Sequence, residues 1–211
     1  LVTGPSSMRK PGLELLLEHP AIWRGRSVAR TATHSTGFSP LDDALPGQGW
    51  PLAGLTEILA PRHGAGELRL LIPLLRAFAH ATPARWVAWV APPFEPYAPA
   101  LAEADVSPER QLVVRTTQPL WVLEQLLDSG ACAAALAWLG RTPAAANDLR
   151  RLQWATQRQS TQAFLFRPAC AAAQASPAEL RIAFEPRVGG ARLRLLKSRG
   201  GARMPFDVQW E

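Results

Sequence analysis

Apolar residues along this chain follow two alternating rhythms. Short runs closed by proline, glycine or polar turns predict buried strands: Leu55 to Leu59, then RWVAWVAPP (85–93), QLVVRT (111–116), CAAALAWL (132–139) and QAFLFRP (162–168). Between them lie stretches with helical spacing: Leu41 to Leu45, ELRLLIPLLRAFAHA (67–81), YAPALAEADV (97–106), PLWVLEQLLDSG (119–130) and NDLRRLQWATQRQ (147–159). Pro73 should kink the second of these or delay its start, because proline has no N–H for an interior turn. Pro119 suits a first helical turn, and Gly130 suits a helix end. After residue 179 the rhythm changes. ELRIAFEPRVGGARLRLLKSR carries two alternating runs about Gly189-Gly190, an antiparallel hairpin, and FDVQW supplies one more strand. The expected fold is α/β, with a mostly parallel central sheet flanked by helices and a C-terminal antiparallel hairpin.

Ahead of this pattern, GLELLLEHPAIW (12–23) reads as a short amphipathic helix broken at Pro20, and Arg24 to Thr36 has no apolar periodicity. The expected division is an N-terminal helix and linker over 1–36 and a core over 37–211. At 211 residues, 47% hydrophobic and 19% charged, the chain suits one globular domain. It has no apolar run near the roughly 18 residues that span a bilayer and no export-type leader pattern, so the expected location is the cytoplasm, away from membranes. Cys132 and Cys170, far apart, read as small buried hydrophobes. The histidines at 19, 34, 63 and 80 lack metal-ligand spacing, and no nucleophile motif is present.

The net charge of +6 is unevenly spread. Residues 1–60 carry five basic and five acidic side chains, 61–140 six and seven, and 141–211 twelve and five; 21 of the 23 basic residues are arginine. An arginine-rich last third suits phosphate, an acidic protein surface or plain solvation, and composition leaves the three open.

At APRHGAGELR (60–69) a strand meets a helix through a glycine-bearing loop. A working phosphate loop reads GxxxxGK[ST]: backbone N–H groups cradle phosphates, the lysine reaches the terminal ones and the hydroxyl holds magnesium. Aligned to it, Pro61 stands at the first glycine, Gly66 at the second, Glu67 at the lysine and Leu68 at the hydroxyl. A carboxylate replacing the lysine repels a polyanion by about 4 kcal/mol at 4 Å and an effective dielectric of 20. The expectation is a tight turn capped by its own glutamate, which also answers the helix dipole.

STGFSPLDDALPGQGWPLAGLTEI (35–58) resembles the opening segment of RecA-like recombinases, of the form STGxxxLDxxLGGGxPxGxxxEI, and ARLRLLKSRGGARMPFDVQW (191–210) is similar to the closing hairpin of that core. HPAIWRGR (19–26) and the GAGEL loop (64–68) narrow the resemblance to the ImuA family, RecA-like accessory factors of damage-induced translesion DNA synthesis. It covers roughly residues 13 to 210. In a RecA-like ATPase the strand matching AAALAWL ends in a magnesium-organising aspartate, whereas Ala133 to Leu139 contains no acid. The glutamate that activates water would follow WVAWVAPP; Pro92 and Pro93 stand there, and Glu95, the remaining candidate, reads as a surface residue. The resemblance therefore implies a pseudo-ATPase with no cofactor.

What the resemblance implies functionally is an adaptor subunit of the inducible (SOS) translesion machinery. Its partners would be ImuB, a Y-family polymerase relative, and a DnaE-type polymerase in the same complex, with RecA and single-stranded DNA as further candidates. Contact candidates are Trp23 and Arg24 in the N-terminal segment, Arg150, Arg151, Trp154 and Arg158 on one predicted helix, and Lys197 and Arg199 in the hairpin, where recombinases reach a neighbour's nucleotide. Arginine beside tryptophan suits nucleic acid and protein interfaces alike. The segment RPACAAAQASPAE (167–179), at the place of a recombinase DNA loop, is alanine-rich. SulA proteins share this degenerate core and block FtsZ, which makes a cell-division inhibitor the alternative.

Overall fold

Strand β3 (Gly54–Ala60) is buried along its whole length and lies parallel to β7 (Gln162–Pro168) on one side and β8 (Leu180–Arg187) on the other. The computed structural model describes residues 32–140, 142–199 and 204–210. Within these, β4 (Trp86–Val90), β5 (Gln111–Val114), β6 (Cys132–Trp138), β9 (Gly190–Lys197) and β10 (Phe206–Gln209) complete an eight-stranded sheet in the order β10-β9-β8-β3-β7-β6-β4-β5. The six strands from β8 to β5 run parallel, while β9 and β10 add antiparallel beyond β8. Both faces of the parallel part are covered, as its near-continuous apolar strands require.

Alternation along β3 divides the core. Ile58 and Ala60 face Leu70, Leu71, Leu74, Trp89, Phe164 and Ile182, with α2 (Ile72–Ala79) above them. Leu55 faces α4 (Pro119–Ser129) and α5 (Ala146–Gln159), whose Leu123, Leu127, Leu149 and Leu152 cover the opposite side. On that side β6 presents only Cys132, Ala135 and Ala137, so the helices settle against short side chains. Pro119 does open α4, and Gly130 ends it in the left-handed region at φ 65°. A 3-10 turn over Glu67–Leu71 precedes α2, which begins at Ile72 with Pro73 in its first turn, so the proline delays the helix rather than kinking it.

Two expectations need correction. Thr33–His34 (β1) pairs antiparallel with Trp50–Pro51 (β2), so the end of the stretch that lacks periodicity belongs to the fold and is not linker. Its polar residues are held locally: Asp42, in α1 (Ser39–Ala44), accepts the Ser35 hydroxyl at 2.7 Å and the Thr36 N–H at 2.8 Å. Gly37, at φ 82°, passes so near Pro73 that a Cβ would lie 2.5 Å from the ring. Cys132 is buried in β6, but Cys170 is exposed on the loop after β7, where the chain has left the sheet. The helix predicted over 97–106 is a short α3 (Ala98–Glu103). Among the described residues no helix is long and apolar enough to cross a membrane.

Candidate functional site

At the end of β3 the chain turns through residues 61–66, with Gly64 and Gly66 left-handed at φ 72° and 98°, and delivers Glu67 into the interior. Glu67 is only 3% exposed, and its Oε1 accepts the Gly64 N–H at 2.9 Å. The turn is thus closed by its own glutamate. The other carboxylate oxygen, Oε2, is buried without a hydrogen-bond partner. Leu68 packs against the core, and Pro61 is exposed on the loop.

β4 leaves the sheet through Ala91, itself at φ 50°, and Pro92–Pro93 then send residues 92–97 across the front of this loop. Between the two segments lies a cleft of about 360 Å³. Its floor includes Trp89 and Trp138. Trp138 stacks on Trp89 at 5.7 Å and on Phe166 at 4.5 Å between ring centroids, forming an aromatic row across β4, β6 and β7. Phe94 and Tyr97, 68% and 70% exposed, stand at the rim. Glu95 also lines the cleft, with its carboxylate paired to Arg115, both largely solvent-exposed. No lysine, serine or threonine contributes to the lining. Chemically this is an apolar, aromatic groove with the Glu67 and Glu95 carboxylates and the Arg69 guanidinium in its walls.

No protein-family model matches the chain, and no curated protein does. Among solved structures it is similar to SulA from Pseudomonas aeruginosa. The identity is 26% over 54% of this chain and 97% of that one, with a TM-score of 0.44.

The remaining predicted contact residues do not converge on the cleft. On α5, across the sheet from it, Arg150 donates to Asn147 Oδ1 at 2.7 Å, and Arg151 bridges Asp148 at 3.1 Å and Glu124 of α4 at 3.3 Å. Arg158 pairs with Asp128, also on α4. Trp154, on the same helix, is 58% exposed, and the three arginines are exposed beside it. In the hairpin, Lys197 Nζ donates to the Ser176 carbonyl at 2.9 Å, and Arg199 lies 3.8 Å from Glu179. Trp23 and Arg24 lie outside the described residues. Within those residues no group of three or more histidine, cysteine, aspartate or glutamate side chains is placed to hold a metal.

A buried polar cluster among the described residues had no counterpart in the sequence expectations. Glu57, fully buried in β3, receives Arg167 Nη1 of β7 at 2.9 Å on one oxygen and Arg181 Nε of β8 at 2.6 Å on the other. Ser176 Oγ donates to Glu57 Oε1 at 2.8 Å. The two arginines also hold the 169–179 loop, through Gln174 Oε1 and the carbonyls of Gln174 and Ala171. The signal was a single acid inside GLTEILA together with Arg167 and Arg181 inside two other strands; what joins them is the sheet register, Glu57 opposite Arg181 and Leu59 opposite Arg167.

Beside this cluster, burial pushes the Glu179 carboxyl above the usual carboxylate range, against the opposing pull of Arg199 and Lys197. Burial, reinforced by Arg181, lowers the Lys197 ammonium from its ordinary value. A raised Glu179 means that the folded chain holds this proton more tightly than the unfolded one. Its contribution to stability is therefore complete below the ordinary carboxylate value of about 4.3 and is lost as pH rises through the raised folded value. Glu179→Gln is expected to flatten this part of the pH profile, checked by urea denaturation of both chains at stepped pH; parallel profiles would refute it.

Proposed function

We propose that the chain is a non-catalytic adaptor that works by binding, within the damage-induced translesion DNA synthesis machinery, with ImuB as its direct partner and a DnaE-type polymerase in the same complex. The observation that carries the non-catalytic part is Glu67: the residue aligned with the phosphate-loop lysine is folded inward onto Gly64 N–H, beside a Leu68 packed in the core. Phosphoryl transfer depends on a held polyphosphate and a positioned metal as well as a base. Here the floor beneath the loop is tryptophan, and Glu95 is engaged with Arg115. The adaptor role rests on the resemblance of residues 35–58 to RecA-like recombinases and of residues 19–26 and 64–68 to the ImuA family. RecA and single-stranded DNA remain candidate further partners; the ion pairs of Arg151 and Arg158 with α4 leave α5 less free charge than its composition suggests.

The test is co-purification with ImuB, using chains with and without residues 1–30, alongside an ATP turnover assay. Association with ImuB and no turnover are expected. A metal-dependent ATPase rate abolished by Glu67→Gln or Glu95→Gln would overturn the non-catalytic reading. Added to FtsZ, the protein is expected to leave polymerisation unchanged; full inhibition near equimolar ratio would replace the adaptor role with the SulA-like one.

A further inference from the structure

The cleft between the 61–67 loop and residues 92–97 combines three features. Its floor and rim carry four aromatic rings, Trp89, Trp138, Phe94 and Tyr97. Its wall holds Glu67, whose Oε2 is buried and without a partner, an arrangement that leaves half of the carboxylate unsatisfied. Glu95 is paired with Arg115, whereas Arg69, the cation in the lining, lies over the Trp210 ring at 6.0 Å and is not within ion-pair distance of Glu67. What Glu67 Oε2 lacks is a donor, and the ring faces present negative density to a donor that is charged.

The geometry points to a cleft that receives a basic side chain, arginine or lysine, carried next to an apolar one on an extended segment of a partner protein. The apolar neighbour covers the tryptophan floor, and the cation stands between the rim rings and the Glu67 wall, as ammonium and guanidinium groups do in aromatic cages. A volume of about 360 Å³ lies at the small end of ligand pockets, roughly 300–1,000 Å³, and has room for a short stretch of side chains but not for a helix. This assignment rests on the reading of the protein as a binding module and names the chemistry its partner would present.

The test uses the full chain and three short blocked peptides, Gly-Leu-Arg-Leu-Gly and its glutamine and glutamate counterparts, titrated while the tryptophan indole N–H resonances are followed by NMR. The arginine peptide is expected to move the Trp89 and Trp138 signals in a saturable way and to bind about tenfold more tightly than the glutamine peptide, with the glutamate peptide weakest. Glu67→Gln, which keeps an oxygen for Gly64 N–H, is expected to abolish the difference between arginine and glutamine. Tyr97→Ala, at an exposed position and so without consequence for folding, is expected to weaken the arginine peptide several-fold. Equal binding of the three peptides, shifts confined to other tryptophans, or no shift at millimolar peptide would overturn the assignment. If ATP saturably moves the same signals the assignment falls, and if ATP is also hydrolysed the non-catalytic reading falls with it. If the peptides fail while ImuB co-purifies and ATP is ignored, only the assignment falls.

Discussion

Glu57→Gln is expected to cost the fold about 3–5 kcal/mol, the range seen when one partner of a buried ion pair is removed and the other charge is stranded. Two guanidinium groups, Arg167 and Arg181, would be stranded here, both nearly inaccessible to water. Glutamine keeps the shape of the side chain and supplies one acceptor oxygen, so the loss reports on charge and not on a cavity. Urea denaturation measures it, and a loss below about 1 kcal/mol would show that the cluster is not what holds these strands in register. The triple replacement Glu57→Leu, Arg167→Met and Arg181→Met is expected to recover most of that loss, because well-packed apolar groups often substitute for a buried ion cluster. Recovery would not extend to the 169–179 loop, whose Gln174 and Ala171 anchors belong to the arginines. In the triple variant that loop is expected to be cut by a broad-specificity protease while the rest of the fold resists.

Trp138→Ala is the second large effect, at about 3–5 kcal/mol for truncating a buried aromatic. Trp138 is enclosed between Trp89 and Phe166 in the row that floors the cleft, and the void left by an indole would be lined by both rings. Trp138→Phe keeps the stack and is expected to lose much less. Denaturant unfolding of the two variants separates them; equal losses would mean that the stacked row contributes little and that the floor relaxes to fill the gap. Because the cleft lies above Trp138, the alanine variant is also expected to disturb the indole signals of Trp89 without unfolding the chain.

The centre of the sheet was legible because β4, β6 and β7 are near-continuous apolar runs, each closed by a proline or glycine. Pro92–Pro93 after β4, Pro119 and Gly130 around α4, and Gly189-Gly190 in the hairpin are local signals, and the structure places each where local chemistry puts it. The inward turn of Glu67 was legible for the same reason, since its partner is three residues away. What sequence concealed depends on which elements become neighbours. Arg151 and Arg158 read as a basic surface until Glu124 and Asp128 are seen to face them from α4. The aromatic row that reaches the floor of the cleft gathers rings from three strands, and the Glu57 cluster gathers charges from three strands and a hydroxyl from a loop. No periodicity within one segment encodes such a meeting.

The central place of β3 also sets a timetable. Its first partner, β7, begins at Gln162 opposite Gly54, and its second, β8, begins at Leu180 opposite Thr56. At roughly 5–20 residues per second of synthesis, β3 waits some 5–20 s with both edges bare. A ribosome that stalls before residue 162 therefore leaves a strand built for full burial with neither neighbour made, a product destined for chaperones or aggregation.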